Sequence, residues 1–242
     1  MEQGQLFNGR NLSRQFDPPA HVVEVAKRYA QERGLNWSDE GLGDVHVDHQ
    51  RAYATAKAYE RGLTAPEDTT VRSSYEAMRQ HVNEQYDFMT RPREHGGLGI
   101  QHEVTLEDPY PDVKGVAEDV AQGRIKTFAT ASTGKHEFFS DEENDKFRAV
   151  HDVFGHIAIG RGFNASGEDA AYQSHAQMFP KEAHAALASE TRGQNSYLNY
   201  GPTGDFASQE GKLIRVPEWV HGELPPPEPV VSRKQFTDQR LF

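Results

Sequence analysis

The apolar positions of this chain fall into short helical runs separated by polar, glycine- and proline-marked breaks. Ala20–Gly34 carries Val22, Val23, Val25, Ala26 and Tyr29 on one side and ends at a glycine, which predicts a first helix. Val45–Gly62 places Tyr53, Ala56 and Tyr59 about one turn apart. Thr69–Thr90 repeats Val71, Tyr75, Met78, Val82, Tyr86 and Met89 at helical spacing. Together they predict an N-terminal helical part. After Arg91 and Pro92 the texture changes. Gly99–Thr105 alternates and reads as a strand, Val113–Gln122 as a short helix, and Lys126–Ala129 as a second strand. Helices are expected at Asp145–Ile159, Glu168–Phe179, Lys181–Asn195 and Ala207–Val220.

The predicted fold class is therefore α+β and mainly helical. Residues 1–19 read as an extended arm, and 20–220 as one domain, with a helical part (20–92) packed on a core with a small two-stranded sheet (93–220). Residues 221–242 read as a proline-rich spacer and C-terminal arm. Phe147, Val150, Phe154, Ile157, Met178, Phe179 and Leu187 are the expected core of the C-terminal part.

Composition narrows the chemistry. The 242 residues include no cysteine, so thiolate metal sites, iron–sulfur clusters and a cysteine nucleophile are excluded, and any metal needs His, Asp or Glu. The formal net charge of -11 argues against nucleic acid as a partner. No apolar run is long enough to span a membrane, and the N-terminus lacks the apolar core of a signal peptide. The expected location is the cytoplasm.

The densest polar chemistry lies in KFRAVHDVFGHIAIGRGF, residues 146–163. On an α-helix, His151 and His156 would be separated by about 500° of turn, roughly 140° apart in projection. That is unlike the i,i+4 pair of an ordinary zinc protease. Gly155 allows a bend that could bring the two together. A third, carboxylate ligand is expected from a later helix, and Glu190 is the candidate. Two histidines and a carboxylate with open positions form a facial triad suited to non-haem iron(II), and the same set can hold a catalytic zinc. A divalent metal, iron(II) or zinc, is thus the expected cofactor. Asp152, His175 and Arg192 are the candidate catalytic groups, with Asp152 also able to orient His156. Arg161, Tyr172, Gln194, Asn195 and Tyr197 are the candidate substrate-binding residues. His46, Asp48 and His49 form a second metal-like cluster at a helix start, read as capping and surface.

The stretch from NDKFRAVHDVFGH through GRGF, GEDAAYQSHAQMF and ETRGQNSYLNYG resembles an uncharacterised protein family of bacteriophages and mobile elements. The resemblance extends over about 75–220. It implies a phage gene product, with the alternative of a non-catalytic virion protein of the head, neck or tail that docks on other virion proteins through both arms. Separately, HDVFGH is similar to the HExxGH iron motif of the pterin-dependent aromatic amino-acid hydroxylases. Carried over, His151 and His156 match the histidines and Glu190 the carboxylate, which implies iron(II) in preference to zinc and hydroxylase-like chemistry on an unidentified small molecule. Asp152 replaces that family's glutamate, and no pterin pocket is legible.

Overall fold

A computed structural model describes residues 14–64, 67–204 and 213–221. Most of the predicted arms, the proline-rich spacer, and the first half of the expected 207–220 helix lie outside these residues.

The fold is mainly helical with small sheets. Helix α1 spans Ala20–Glu32 and α2 spans His49–Arg61. Helix α2 starts later than the apolar pattern predicts. Asp48 caps it, its carboxylate accepting from the backbone N–H groups of Gln50 and Arg51, an arrangement worth about 1 kcal/mol. The capping role read for Asp48 is therefore what the structure shows. Strand β1 (Leu63–Thr64) leads to the long α3 (Thr69–Thr90), capped by Asp68.

Strand β2 (Gln101–Thr105), helix α4 (Val113–Ala121) and strand β3 (Arg124–Phe128) form a β–α–β unit. The two strands pair in parallel, from Gln101 opposite Arg124 to Thr105 opposite Phe128. The second strand starts two residues before the apolar pattern suggests, because Gly123, at positive φ, makes the turn out of α4.

A short α5 (Thr130–Thr133) precedes α6 (Asp141–Val150). The acidic DEEND run forms the first turns of α6, where negative charge suits the helix dipole. Ser140 and Glu143 close a capping box there. Helix α7 is Ala165–Ala176, α8 is His184–Ala188 and α9 is Gln194–Tyr200. The expected helix at Ala207–Val220 is not what forms over its described half. Strand β4 (Leu213–Ile214) pairs antiparallel with β1, and only Glu218–His221, α10, is helical. Pro217 breaks the pattern between them.

All seven predicted core residues are buried, and they join one cluster with Tyr29, Tyr59, Tyr75, Met78 and Phe88. The N-terminal helices and the C-terminal part thus share a single core. No helix among the described residues is long and apolar enough to cross a membrane.

Candidate metal centre

Helix α6 does not stop at Val150. It runs on as a π turn, His151–Ile157. The Ala158 N–H bonds back five residues to the carbonyl of Val153 at 2.9 Å. In this wider turn residues five apart stack along the axis. His151 and His156 therefore share a face: their rings lie 5.2 Å apart and nearly perpendicular, at 84°. The 140° separation computed for an α-helix does not apply. Gly155 contributes through its missing side chain. A Cβ there would sit 3.1 Å from His151 Nδ1 and 3.3 Å from the Ala171 Cβ on α7. The Phe154 carbonyl is taken up by the Ser174 hydroxyl at 2.8 Å.

The carboxylate facing this pair is Glu168, in the first turn of α7. Its Oε1 is 3.6 Å from His156 Nε2 and its Oε2 is 3.9 Å from His151 Nε2. Ligand atoms of His151, His156 and Glu168 all lie within 4.8 Å of one another. Two ligands held about 2.1 Å from one ion stand roughly 3 to 3.5 Å apart, so a small closure would seat a metal. His156 is buried, while His151 and Glu168 keep some exposure, which leaves one side of the group open.

Hydrogen bonds assign the protons. Gln85 donates its amide N–H to the Met178 carbonyl, so its Oε1 is the atom 2.6 Å from His175 Nε2. His175 Nε2 must then carry a hydrogen, and its Nδ1 accepts. That Nδ1 is 3.2 Å from His151 Nδ1, which donates. His151 Nε2 is left as a lone pair. His156 Nδ1 faces the Arg161 carbonyl at 3.2 Å and donates to it, so its Nε2 is a lone pair too. Burial, reinforced by His151 and His156, holds His175 well below the usual histidine range, consistent with a neutral relay. Two nitrogen lone pairs and a carboxylate thus converge with no hydrogen among them. A cation or an added proton has to occupy the gap. With no metal, the proton takes that part. Burial opposes charging His156, but Glu168, together with Asp152 and the Arg161 carbonyl, outweighs it and holds the group up. Burial likewise raises Glu168, yet His156 and His151 bring it down to about 2.

Glu190, the carboxylate expected to complete the triad, lies elsewhere. It sits on a second π turn, Ser189–Gly193, between α8 and α9. Ser189 and Thr191 turn their hydroxyls back onto the carbonyls of Ala185 and Leu187, a competition that distorts helices. Gly193 lets this turn approach the Tyr59 ring, where a Cβ would stand at 2.7 Å. This path aims Glu190 at α3. It accepts from the Tyr75 hydroxyl at 2.5 Å and lies 3.2 Å from His136 Nε2. His136 Nδ1 accepts from the backbone of Phe138 and Phe139, so its hydrogen is on Nε2, which lies near the Glu190 carboxylate without hydrogen-bonding to it. Tyr75, His136 and Glu190 form a buried polar knot, separate from the histidine pair.

The other predicted residues divide. Asp152 follows His151 directly and feels both histidines. Burial pushes its carboxyl up to about 6, against the pull of His156 and His151. His175 touches His151, as described. Arg161 is almost fully buried and is used up on the backbone: its guanidinium bonds the carbonyls of Gly43 and Val45 and the Ser166 hydroxyl. Tyr197 packs on Tyr59, ring centroids 5.5 Å apart, and Gln194 opens α9. Tyr172, Arg192 and Asn195 line a pocket of about 600 Å³ on another face of α7. The carboxylate that sequence reasoning missed is Glu168. Its signal was available: it stands in the first turn of the helix following the histidine pair, behind the Asn164 cap, which accepts from the Gly167 N–H at 2.8 Å.

No family model matches the chain, and neither the curated proteins nor the solved structures contain a match.

Proposed function

We propose that His151, His156 and Glu168 hold one divalent metal and that the chain is a metal-dependent enzyme of the non-haem iron(II) kind. The observation that carries this is the convergence of two Nε2 lone pairs on a carboxylate, each histidine oriented through its other nitrogen. Three protein ligands leave coordination positions free, and a 2-His-1-carboxylate set with open positions suits iron(II) and O₂-dependent hydroxylation. Zinc on the same ligands would activate water for hydrolysis. Asp152, which follows His151 and feels both histidines electrostatically, would move a proton in either chemistry.

The test is metal analysis of protein purified without a chelating tag, then loaded anaerobically with iron(II) or with zinc. One tightly held ion per chain is expected, lost in Glu168→Gln and His156→Ala and kept in Glu190→Gln. Stoichiometric iron together with O₂ consumption supports the oxygenase, and stoichiometric zinc supports the hydrolase. The proposal is overturned if neither metal binds stoichiometrically, or if Glu168→Gln leaves metal content unchanged.

A further inference from the structure

The loop that follows the π turn is fixed by one side chain. Arg161 is only 2% exposed, and a cation buried that far needs oxygen partners. Its guanidinium donates to the carbonyls of Gly43 and Val45, in the segment between α1 and α2, and to the Ser166 hydroxyl at 3.0 Å. That hydroxyl donates in turn to the side chain of Asn164, the cap of α7, at 3.0 Å. Ser166 stands in the first turn of α7, two residues before Glu168.

The main chain of Arg161 is tied to His156. Its N–H donates to the His156 carbonyl, and its carbonyl accepts from His156 Nδ1, both at 3.2 Å. The two bonds close a ring, so a shift of the Arg161 backbone turns the imidazole. The other side of the loop is held as well. The Gln15 N–H donates to the Gly160 carbonyl at 2.7 Å. Gly160 has a φ of +71°, and a Cβ there would overlap the Phe16 carbonyl oxygen.

One residue thus reaches both ligand-bearing elements, His156 through its main chain and the start of the Glu168 helix through its side chain. His156 Nε2 and Glu168 Oε1 lie 3.6 Å apart. A working constellation has to be held to within about 0.5 Å. The planar fork of a guanidinium bonds several acceptors in fixed directions, whereas a lysine ammonium is a point charge on a flexible stem.

We infer that Arg161 is a positioning residue. It sets the separation and angle of His156 and Glu168, and so the affinity of the centre for its ion, without supplying a ligand atom. The inference rests on the reading of the triad as a metal site.

The test compares Arg161→Lys and Ser166→Ala with Tyr75→Phe, which loses a buried hydrogen bond to Glu190 instead. Cobalt(II) is the probe, because its visible spectrum reports coordination geometry as well as occupancy. Arg161→Lys should bind it roughly tenfold or more weakly than the parent, with an altered spectrum. Ser166→Ala, a mild change that leaves the arginine in place, should show a smaller loss in the same direction. Tyr75→Phe should keep the parent's affinity and spectrum. A second readout needs no metal. In the metal-free protein, at a pH high enough to neutralise the imidazole, nitrogen-15 magnetic resonance should find the His156 hydrogen on Nδ1 in the parent. In Arg161→Lys it should be divided between Nδ1 and Nε2. A parent that binds no cobalt(II) but shows this change overturns the metal reading and leaves the positioning role standing. The inference is overturned if Arg161→Lys and Ser166→Ala both keep the parent's affinity and spectrum, if Tyr75→Phe loses as much affinity as they do, or if the His156 hydrogen stays on Nδ1 in Arg161→Lys.

Discussion

His151 and His156 face one another across 5.2 Å although they stand five positions apart, because the backbone between them is a π turn. The same spacing on an α-helix would leave the two rings on different sides. Backbone geometry here selects which histidines can act together.

Gly155 is the residue this arrangement depends on. An alanine there would put its Cβ 3.1 Å from His151 Nδ1 and 3.3 Å from Ala171, tighter than ordinary packing. The ring, the more mobile partner, should rotate away from His156. Gly155→Ala is expected to keep most of the stability and lose tenfold or more in metal affinity, read by competition with a chromogenic chelator. Unchanged affinity would show that the close approach is not needed.

His175 sets the hydrogen on His151 without touching Glu168. Phe147 stacks nearly parallel to it, 6.3 Å away and tilted by 8°, so a phenylalanine in its place preserves the ring stack. His175→Phe removes the acceptor for His151 Nδ1. Loss of such a partner typically costs 10–100-fold in metal affinity. That loss should appear in metal titrations while far-ultraviolet circular dichroism stays native. A variant binding metal as the parent does would assign His175 to packing alone.

Much of the fold was legible because its helices are amphipathic and capped, as at Asp48, Asp68 and Ser140. The core residues from Phe147 to Leu187 follow from the same periodicity. The histidine pair was legible as a pair. The third ligand was not, because choosing between Glu168 and Glu190 needs the direction of each side chain, and two π turns change those directions. Periodicity arguments assume an α-helical turn, so they fail where Ser189, Thr191 and Gly155 alter it. The expected 207–220 helix gave way to the β1–β4 pairing, a contact between segments far apart in the chain.

Tyr75 and Glu190 test the buried knot directly. The phenol is fully buried and donates to the carboxylate at 2.5 Å. Tyr75→Phe removes a charge-assisted donor and leaves Glu190 with His136 and its remaining contacts. A cost of about 1–3 kcal/mol is expected, measured as a lower urea midpoint, with metal content unchanged. If Tyr75→Phe instead lost the metal at full stability, the knot would belong to the metal centre.

Half-buried histidines outside the metal centre make stability depend on pH. His102 lies between the Tyr86 hydroxyl, 3.2 Å from Nδ1, and the Thr127 hydroxyl, 2.8 Å from Nε2. His81 lies 2.8 Å from the Tyr29 hydroxyl. Burial lowers both below the ordinary value of 6.5, with Lys146 adding to the effect at His102 and Arg33 at His81. Because the folded values are depressed, the unfolded chain binds protons first as pH falls. These groups therefore contribute fully above about 6.5 and lose their contribution as pH drops through the folded values. The urea midpoint of the parent should fall between pH 7.5 and 5. The slope should be shallower in His102→Gln, which keeps hydrogen-bonding capacity without a titrating ring. Nuclear magnetic resonance titration of the His102 ring should give a midpoint below 6.5. A midpoint above that value would mean the site favours the charged imidazole and would reverse the sign of its contribution.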